Sequence, residues 1–364
     1  MKVLLLVDSL DNGGAERQMA LLAAGLPSGW QRRVCTLGGG PFESHLRAKG
    51  ITVEVLSRRS RLDPLPVVAL WRSIVTARPD LVHSWSWIST LAAGPLCRLL
   101  RIPLIDGTIR TGGLQPEHLW LKRLGMACAS LVVTNTHAGA QAWSVGPVKA
   151  RVVHNGFDWS RLAAHSAARG SASQPRSDHE RPFTVAMIGR MEPERDFRVV
   201  IAAARMLQKE APSCRFVLVG DGTERAELLR EAADLIGSGI VAFPAADIEV
   251  LGYVRDADVG VLMTDPKWAQ EGCSNAIMEY MACGLPVVCA ESGGNRELVE
   301  DGKTGFVIAP ADPRALAQQI AYLRDHEAER RAMGAAGRQR IVESFSLQRM
   351  VDGFLRVYEE ALSR

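Results

Sequence analysis

Glu271 and Glu279 bracket the start of an apolar stretch that continues through Met281-Ala282-Cys283-Gly284-Leu285-Pro286-Val287-Val288. Ser274 has the chemistry of a helix N-cap. It would leave Glu271 in the preceding loop and place Glu279 inside the helix. An ionised carboxylate only accepts hydrogen bonds, so two of them suit the paired hydroxyls of a sugar and a ribose. Ile277, Met278, Met281 and Leu285 surround Glu279 with apolar positions, where a carboxylate requires partners. A second constellation, Gly189-Arg190-Met191-Glu192-Pro193-Glu194-Arg195-Asp196-Phe197, follows an apolar run. Arg190 and Arg195 carry charges that cannot be neutralised and that match phosphate oxygens bidentately. Cations there would stabilise a departing diphosphate. A third, Asn12-Gly13-Gly14-Ala15-Glu16-Arg17, opens a helix directly after the first apolar run. Its glycines admit close approach to the backbone, and a helix N-terminus favours a phosphate or a sugar oxygen.

The elements that would hold these loops alternate along the chain. Short apolar runs at 3–7, 51–56, 80–83, 130–134, 184–188, 216–219, 258–262 and 285–289 read as buried strands. Amphipathic segments at 15–26, 64–77, 115–128, 194–210, 222–235 and 312–325 read as helices between them. This alternation predicts parallel sheets covered on both faces. All three loops fall where ligands bind in such sheets, beyond the carboxyl ends of the strands. No G-x-G-x-x-G fingerprint occurs, which argues against a dinucleotide-dependent dehydrogenase.

At 364 residues the chain is long enough for two such domains. A Ser-, Ala-, Gly- and Pro-rich break begins near 163, giving domains at 1–165 and 182–345 joined by a linker at 166–181. The amphipathic stretch 346–362 reads as a last helix. The net charge of +3 is uneven: residues 1–165 carry +9 and residues 166–364 carry −6. A basic first half fits an anionic partner such as a phosphate-bearing lipid or membrane surface. No zinc-finger spacing or RNP-like aromatic string supports nucleic acid as that partner. Arg58-Arg59-Ser60-Arg61 and Leu119-Trp120-Leu121-Lys122-Arg123-Leu124 are the segments that could touch a membrane. The seven cysteines are dispersed without a C-x-x-C pair, which points to reduced thiols and away from a structural zinc site. The opening Met1–Asp8 run is too short for a signal peptide, and no stretch reaches the ~20 apolar residues of a membrane span. The expectation is a cytoplasmic protein, peripheral at most on the inner face of the membrane.

The Glu271/Glu279 spacing followed by Met281–Val288 resembles glycosyltransferase family 4, retaining enzymes of the GT-B fold. So do the Gly13-Gly14-Ala15-Glu16-Arg17 opening, which marks one branch, and Arg151–Asp158, Gly189-Arg190 and Leu218–Thr223. Ala257-Asp258-Val259, Ser292-Gly293-Gly294 with Glu297, and Gly302 with Gly305 follow in the family's order. The resemblance implies two Rossmann-like domains facing across a cleft, with the acceptor on the first and a UDP- or GDP-sugar on the second. It implies that Arg190 and Arg195 bind the donor pyrophosphate, Glu271 the transferred hexose and Glu279 the ribose. Backbone N–H groups at Gly13-Gly14 and around Cys273, Ser274 and Asn275 would complete the donor site. Glu271, Arg190 and Arg195 are then the catalytic set. The last helix, 346–364, would return to domain one. The acceptor would be a polysaccharide, a glycolipid or a secondary-metabolite intermediate, anionic or lipid-linked. No cofactor or metal is expected.

Three departures stand out. Arg195-Asp196 replaces the family's Lys-Gly, retaining the cation but adding a carboxylate. Arg110 stands where many members carry a histidine near the reaction centre; with His83 it is the candidate for the acceptor side. Asp256-Ala257-Asp258 resembles the metal-binding carboxylates of another glycosyltransferase fold, although Asp258 opens a strand here and reads as structural. Rival readings are a sugar-nucleotide 2-epimerase of the same architecture, a catalytically silent nucleotide-sugar-binding homologue, and a non-enzymatic two-lobed binding protein. Donor hydrolysis separates enzyme from binder. Acceptor dependence separates transferase from epimerase.

Overall fold

A computed structural model describes residues 1–11, 13–56, 64–111, 117–163, 181–210, 214–244 and 250–364. Asn12, the basic Arg58-Arg59-Ser60-Arg61 segment and most of the linker expected at 166–181 lie outside the described residues.

The contacts divide the chain into two units, Met1–Gly156 with Leu347–Arg364, and Phe157–Ser346. Unit 1 alternates β1 (Lys2–Val7), α1 (Gly14–Gly25), β2 (Gln31–Thr36), α2 (Phe42–Ala48), β3 (Thr52–Val55), α3 (Leu65–Ala77), β4 (Leu81–Ser84) and α4 (Trp87–Leu100). It continues with β5 (Leu104–Ile109), α5 (Leu119–Cys128), β6 (Leu131–Thr134), α6 (His137–Ala142) and β7 (Ala150–Val152). Unit 2 follows with β8 (Thr184–Ile188), α7 (Phe197–Glu210), β9 (Arg215–Val219), α8 (Arg225–Glu231), α9 (Ala233–Gly237), β10 (Val241–Ala242), α10 (Leu251–Arg255) and β11 (Val259–Leu262). It ends with α11 (Asn275–Ala282), β12 (Val287–Ala290), α12 (Asn295–Leu298), β13 (Gly305–Ile308), α13 (Pro313–Asp325) and α14 (Glu327–Ser344); α15 (Leu347–Ser363) returns to unit 1.

Both sheets are parallel among the described residues. Their orders are β3-β2-β1-β4-β5-β6-β7 and β10-β9-β8-β11-β12-β13. These are Rossmann-like α/β units, as the alternation predicts. The pleat decides which helices each strand meets. In β1, Val3, Leu5 and Val7 join one core with α1, α2 and α15, while Leu4 and Leu6 join the other with α3, α4 and α5. The last helix earns its place through Met350, Val351, Phe354, Val357, Tyr358 and Ala361, all buried. Phe157 opens unit 2: it bridges Ser346, its N–H donates to the Phe345 carbonyl at 2.7 Å, and its ring enters a unit 2 core.

Helix ends differ from the hydrophobic period where a cap intervenes. The 194–210 segment becomes helical only at Phe197, because the Asp196 carboxylate accepts the Val199 N–H at 3.1 Å as an N-cap. Asp312 caps α13 in the same way, accepting from Arg314 and Ala315. The 222–235 segment breaks at Ala232 into α8 and α9. All seven cysteines are free thiols, and burial pushes those of Cys35 and Cys97 up to about 12.

Asp106 in β5 is buried, and that burial raises its carboxyl from 3.8 to about 6 against the opposing Thr108 N–H at 3.0 Å. Below the unfolded value the group is neutral in both states. As pH rises from about 4 to about 6 the unfolded chain releases the proton first, so stability falls by about 3 kcal/mol across that window. Asp106→Asn is expected to remove this slope. Urea midpoints of wild type and variant at either end of the window check it: the variant should gain on wild type as pH rises.

Candidate active site

In an open parallel sheet the ligand crevice lies where the strand order reverses. In unit 2 that point falls between β8 and β11. The loop after β8 carries Arg190 to Asp196, and the loop after β11 carries Thr264 to Ser274. An antiparallel bridge between Arg195 and Thr264 sews them together. Gly220, after the neighbouring β9, packs so closely that a Cβ there would fall 1.9 Å from the Gly189 carbonyl oxygen. Behind the crevice, Gly260 leaves room for the Tyr280 ring, whose Cγ lies 2.2 Å from where a Cβ would stand. The Tyr280 hydroxyl accepts the Ile188 N–H at 2.6 Å and so holds the end of β8.

Arg195 and Glu271 meet at this point. The Arg195 guanidinium donates to the Glu271 carboxylate and, at 3.2 Å, to the Thr264 hydroxyl. Thr264 stands 3.4 Å from the same carboxylate oxygen. The Glu271 backbone is pinned as well: its N–H donates to the Ser292 hydroxyl at 3.1 Å and its carbonyl accepts the Gly294 N–H at 2.8 Å. The Glu271 side chain is 9% exposed and that of Arg195 is 21% exposed. This is a preorganised carboxylate–guanidinium pair at the mouth of the sheet. Arg190 is not part of it. Its side chain is 78% exposed and pairs with Glu194 at 2.8 Å, one turn along its own loop. Asp196 turns into the cap of α7, away from the Arg195 guanidinium, and burial raises its carboxyl.

Ser274 caps α11, accepting the Ile277 N–H at 3.5 Å, with Cys273 buried before it and Asn275 opening the helix. Glu279, with a side chain 5% exposed, receives the partner its apolar surroundings demand: Arg161 donates to it at 2.6 Å. Arg161 comes from the first residues of unit 2, more than a hundred positions earlier, and no spacing in the sequence links the two. Asp258 accepts both Arg181 guanidinium nitrogens at 2.9 and 2.6 Å and the Thr184 N–H at 2.8 Å, with Arg330 at 3.9 Å. Its lone pairs are committed to the fold, as its position at the head of a strand suggests.

In unit 1 the reversal lies between β1 and β4. Ser86 after β4 caps α4 and its hydroxyl donates to Asp8 after β1. Gly13 is the N-cap of α1 and has no side chain to satisfy the helix, while Gly14 begins it. The Glu16 carboxylate lies over Gly13, 1.9 Å from where its Cβ would be, so the helix carries its own anion at this end. His83, a candidate for the acceptor side, is fully buried. Its Nδ1 meets the Tyr358 hydroxyl at 2.8 Å, and its ring packs against Trp85 and Phe354. Burial first, then the Arg110 charge, hold this imidazole neutral. Through these contacts it packs α15 against the sheet. Arg110 stacks on Trp85 at 3.6 Å and donates from Nε to the Gly107 carbonyl at 2.9 Å.

Sequence comparison assigns the two halves separately. Residues 12–161 match the family model Glycosyltransferase Family 4, and residues 182–326 match Glycosyl transferases group 1. The D-inositol 3-phosphate glycosyltransferase of Thermomonospora curvata is 31% identical over 314 residues, 78% of this chain and 72% of that protein. The same-named enzyme of Salinispora tropica is 31% identical over 316 residues, again 78% of this chain but 64% of its own length. In three dimensions, Anabaena HepE, solved in complex with UDP, superposes with a TM-score of 0.82 at 23% identity, covering 99% of this chain and all of that one.

Proposed function

The chain belongs to glycosyltransferase family 4, and from that premise we propose that it moves a hexose from a UDP- or GDP-sugar to a polysaccharide, glycolipid or secondary-metabolite acceptor with retention and without a metal. The Arg195–Glu271 pair at the unit 2 switch point carries this reading. Arg195 meets the diphosphate, Glu271 the hydroxyls of the transferred sugar and Glu279 the ribose, with the N-terminal turn of α11 at Cys273, Ser274 and Asn275 supplying N–H groups. Arg190, exposed to solvent and paired with Glu194, reaches the diphosphate only when the donor is present. In unit 1, Gly13-Gly14 are assigned to the donor and Arg110 to an anionic acceptor.

In the reaction the anomeric C–O bond breaks through an oxocarbenium-like state, and its electron pair leaves on the diphosphate. The acceptor hydroxyl attacks on the same face, and its proton passes to a leaving phosphate oxygen. Protein groups orient the two substrates and stabilise the charge on the diphosphate. The commitment of Asp258 to Arg181 and Thr184 argues against that carboxylate as a metal ligand.

Thermal shift with UDP, GDP and their common sugars tests the donor. Ligand at ~100 times its dissociation constant stabilises by about 2.7 kcal/mol. One nucleotide class should raise the midpoint, and chelator should leave the shift unchanged. Proton NMR of the product should show the donor's anomeric configuration; the inverted anomer would overturn the mechanism. Folded protein that no nucleotide stabilises would favour a catalytically silent homologue.

A further inference from the structure

One face of the unit 1 sheet is covered by α3, α4 and α5. Trp71 of α3 donates its indole N–H to the Ala92 carbonyl of α4 at 2.7 Å, and Trp87 of α4 stacks on His118 at the head of α5 at 5.3 Å. The three helices contain Arg72, Arg98, Lys122 and Arg123 and not one Asp or Glu. The helices on the opposite face, α1, α2 and α15, all contain carboxylates. The same three helices turn large apolar side chains to the outside. Leu65, Trp71 and Val75 lie along α3, Leu99 is 78% exposed at the end of α4, and Trp120 and Leu124 lie one turn apart on α5 at 69% and 49%. Soluble surfaces rarely gather apolar residues in this way without a partner. Beside α5 an open groove of about 500 Å³ is lined by Arg123, Met126, Trp143, Val145, Val148 and Lys149.

We propose that the α3–α4–α5 face of unit 1 docks on an anionic lipid bilayer, with Trp120, Leu124 and Leu99 entering the headgroup boundary and Arg72, Arg98 and Arg123 pairing with lipid phosphates. Exposed Trp and Leu beside arginine, on helices that hold no carboxylate themselves and with Glu117 the acid beside Lys122 at the head of α5, is the chemistry of interfacial helices. The excess of base over acid on these helices favours the bilayer over a protein, whose surface carries both signs. Among the described residues no helix is long and apolar enough to cross a membrane, so the contact is peripheral. The groove beside Arg123 and Lys149 fits a headgroup phosphate with apolar chain against Trp143.

Flotation with phosphatidylcholine vesicles, with and without phosphatidylglycerol, tests this at low and high salt. Wild type should float with the anionic vesicles at low salt and detach as salt rises. Arg72→Gln, Arg98→Gln and Arg123→Gln should each weaken partition about fivefold, and about a hundredfold together. Trp120→Ser with Leu124→Ser should weaken it with no change of charge. Wild type that stays at the bottom at low salt, or variants that float like wild type, would overturn the bilayer. So would a lipid-free dimer, seen by sedimentation, that Trp120→Ser dissociates; the face would then belong to a second copy. Nucleotide thermal shifts on the same variants should match wild type, which keeps failure of the donor reading distinct from failure here.

Discussion

Replacing Arg195 by Ala is expected to lower turnover by roughly 10²–10³, the range associated with removing one preorganised group from a developing oxyanion. The effect should fall on kcat as well as on donor binding, because charge on the diphosphate grows as the anomeric bond breaks. Arg195→Lys should recover part of it: the charge returns, but the planar guanidinium whose Nη1 reaches both Glu271 and Thr264 does not. Arg190→Ala is the informative control. An exposed arginine paired with Glu194 loses little on truncation in the free protein, so its effect should appear in KM far more than in the apo melting point. Arg195→Ala should lower the apo melting point too, since it strips the cation from a largely buried Glu271. Steady-state kinetics with the donor identified by thermal shift, beside melting of the apo variants, checks all four statements. Arg195→Ala with unchanged kcat would move the leaving-group role to Arg190.

The strand-to-helix alternation was legible because parallel strands buried on both faces read as unbroken apolar runs. The loop positions of Gly13, Arg195 and Glu271 followed from that pattern and from the switch-point rule. The side-chain partners did not follow. Thr264 and Ser292 are ordinary residues until the sheet brings the ends of β11 and β12 together around Glu271. Arg161 is 118 positions from Glu279 and carries no local signal. His83 is a related case. Its position at the end of β4 fits a site residue equally well, and only the return of Tyr358 on α15 encloses it. Asp196 shows the reverse case: N-cap chemistry written in the sequence accounts for a carboxylate beside the candidate phosphate site.

Glu279 offers the largest expected stability effect and a route to separating fold from function. Arg161→Ala leaves a carboxylate 5% exposed without its cation, and breaking a buried pair from one side costs about 3–5 kcal/mol. Urea unfolding should show it as a lower midpoint. Glu279→Gln alone should cost less: the amide still accepts from Arg161, whose 20% exposure lets water share the loss. Replacing both, Arg161→Met with Glu279→Met, removes two desolvated charges together and should return most of the stability that Arg161→Ala loses. If Glu279 also binds the ribose, the double variant is folded yet fails to respond to nucleotide in the thermal shift. If Glu279 serves only to anchor the first residues of unit 2 against α11, the double variant binds nucleotide like wild type. Arg161 donates to Oε1 and so orients the carboxylate; a ribose held by Glu279 would meet a reoriented group in Arg161→Ala, which should then alter donor KM in the same variant whose fold it weakens.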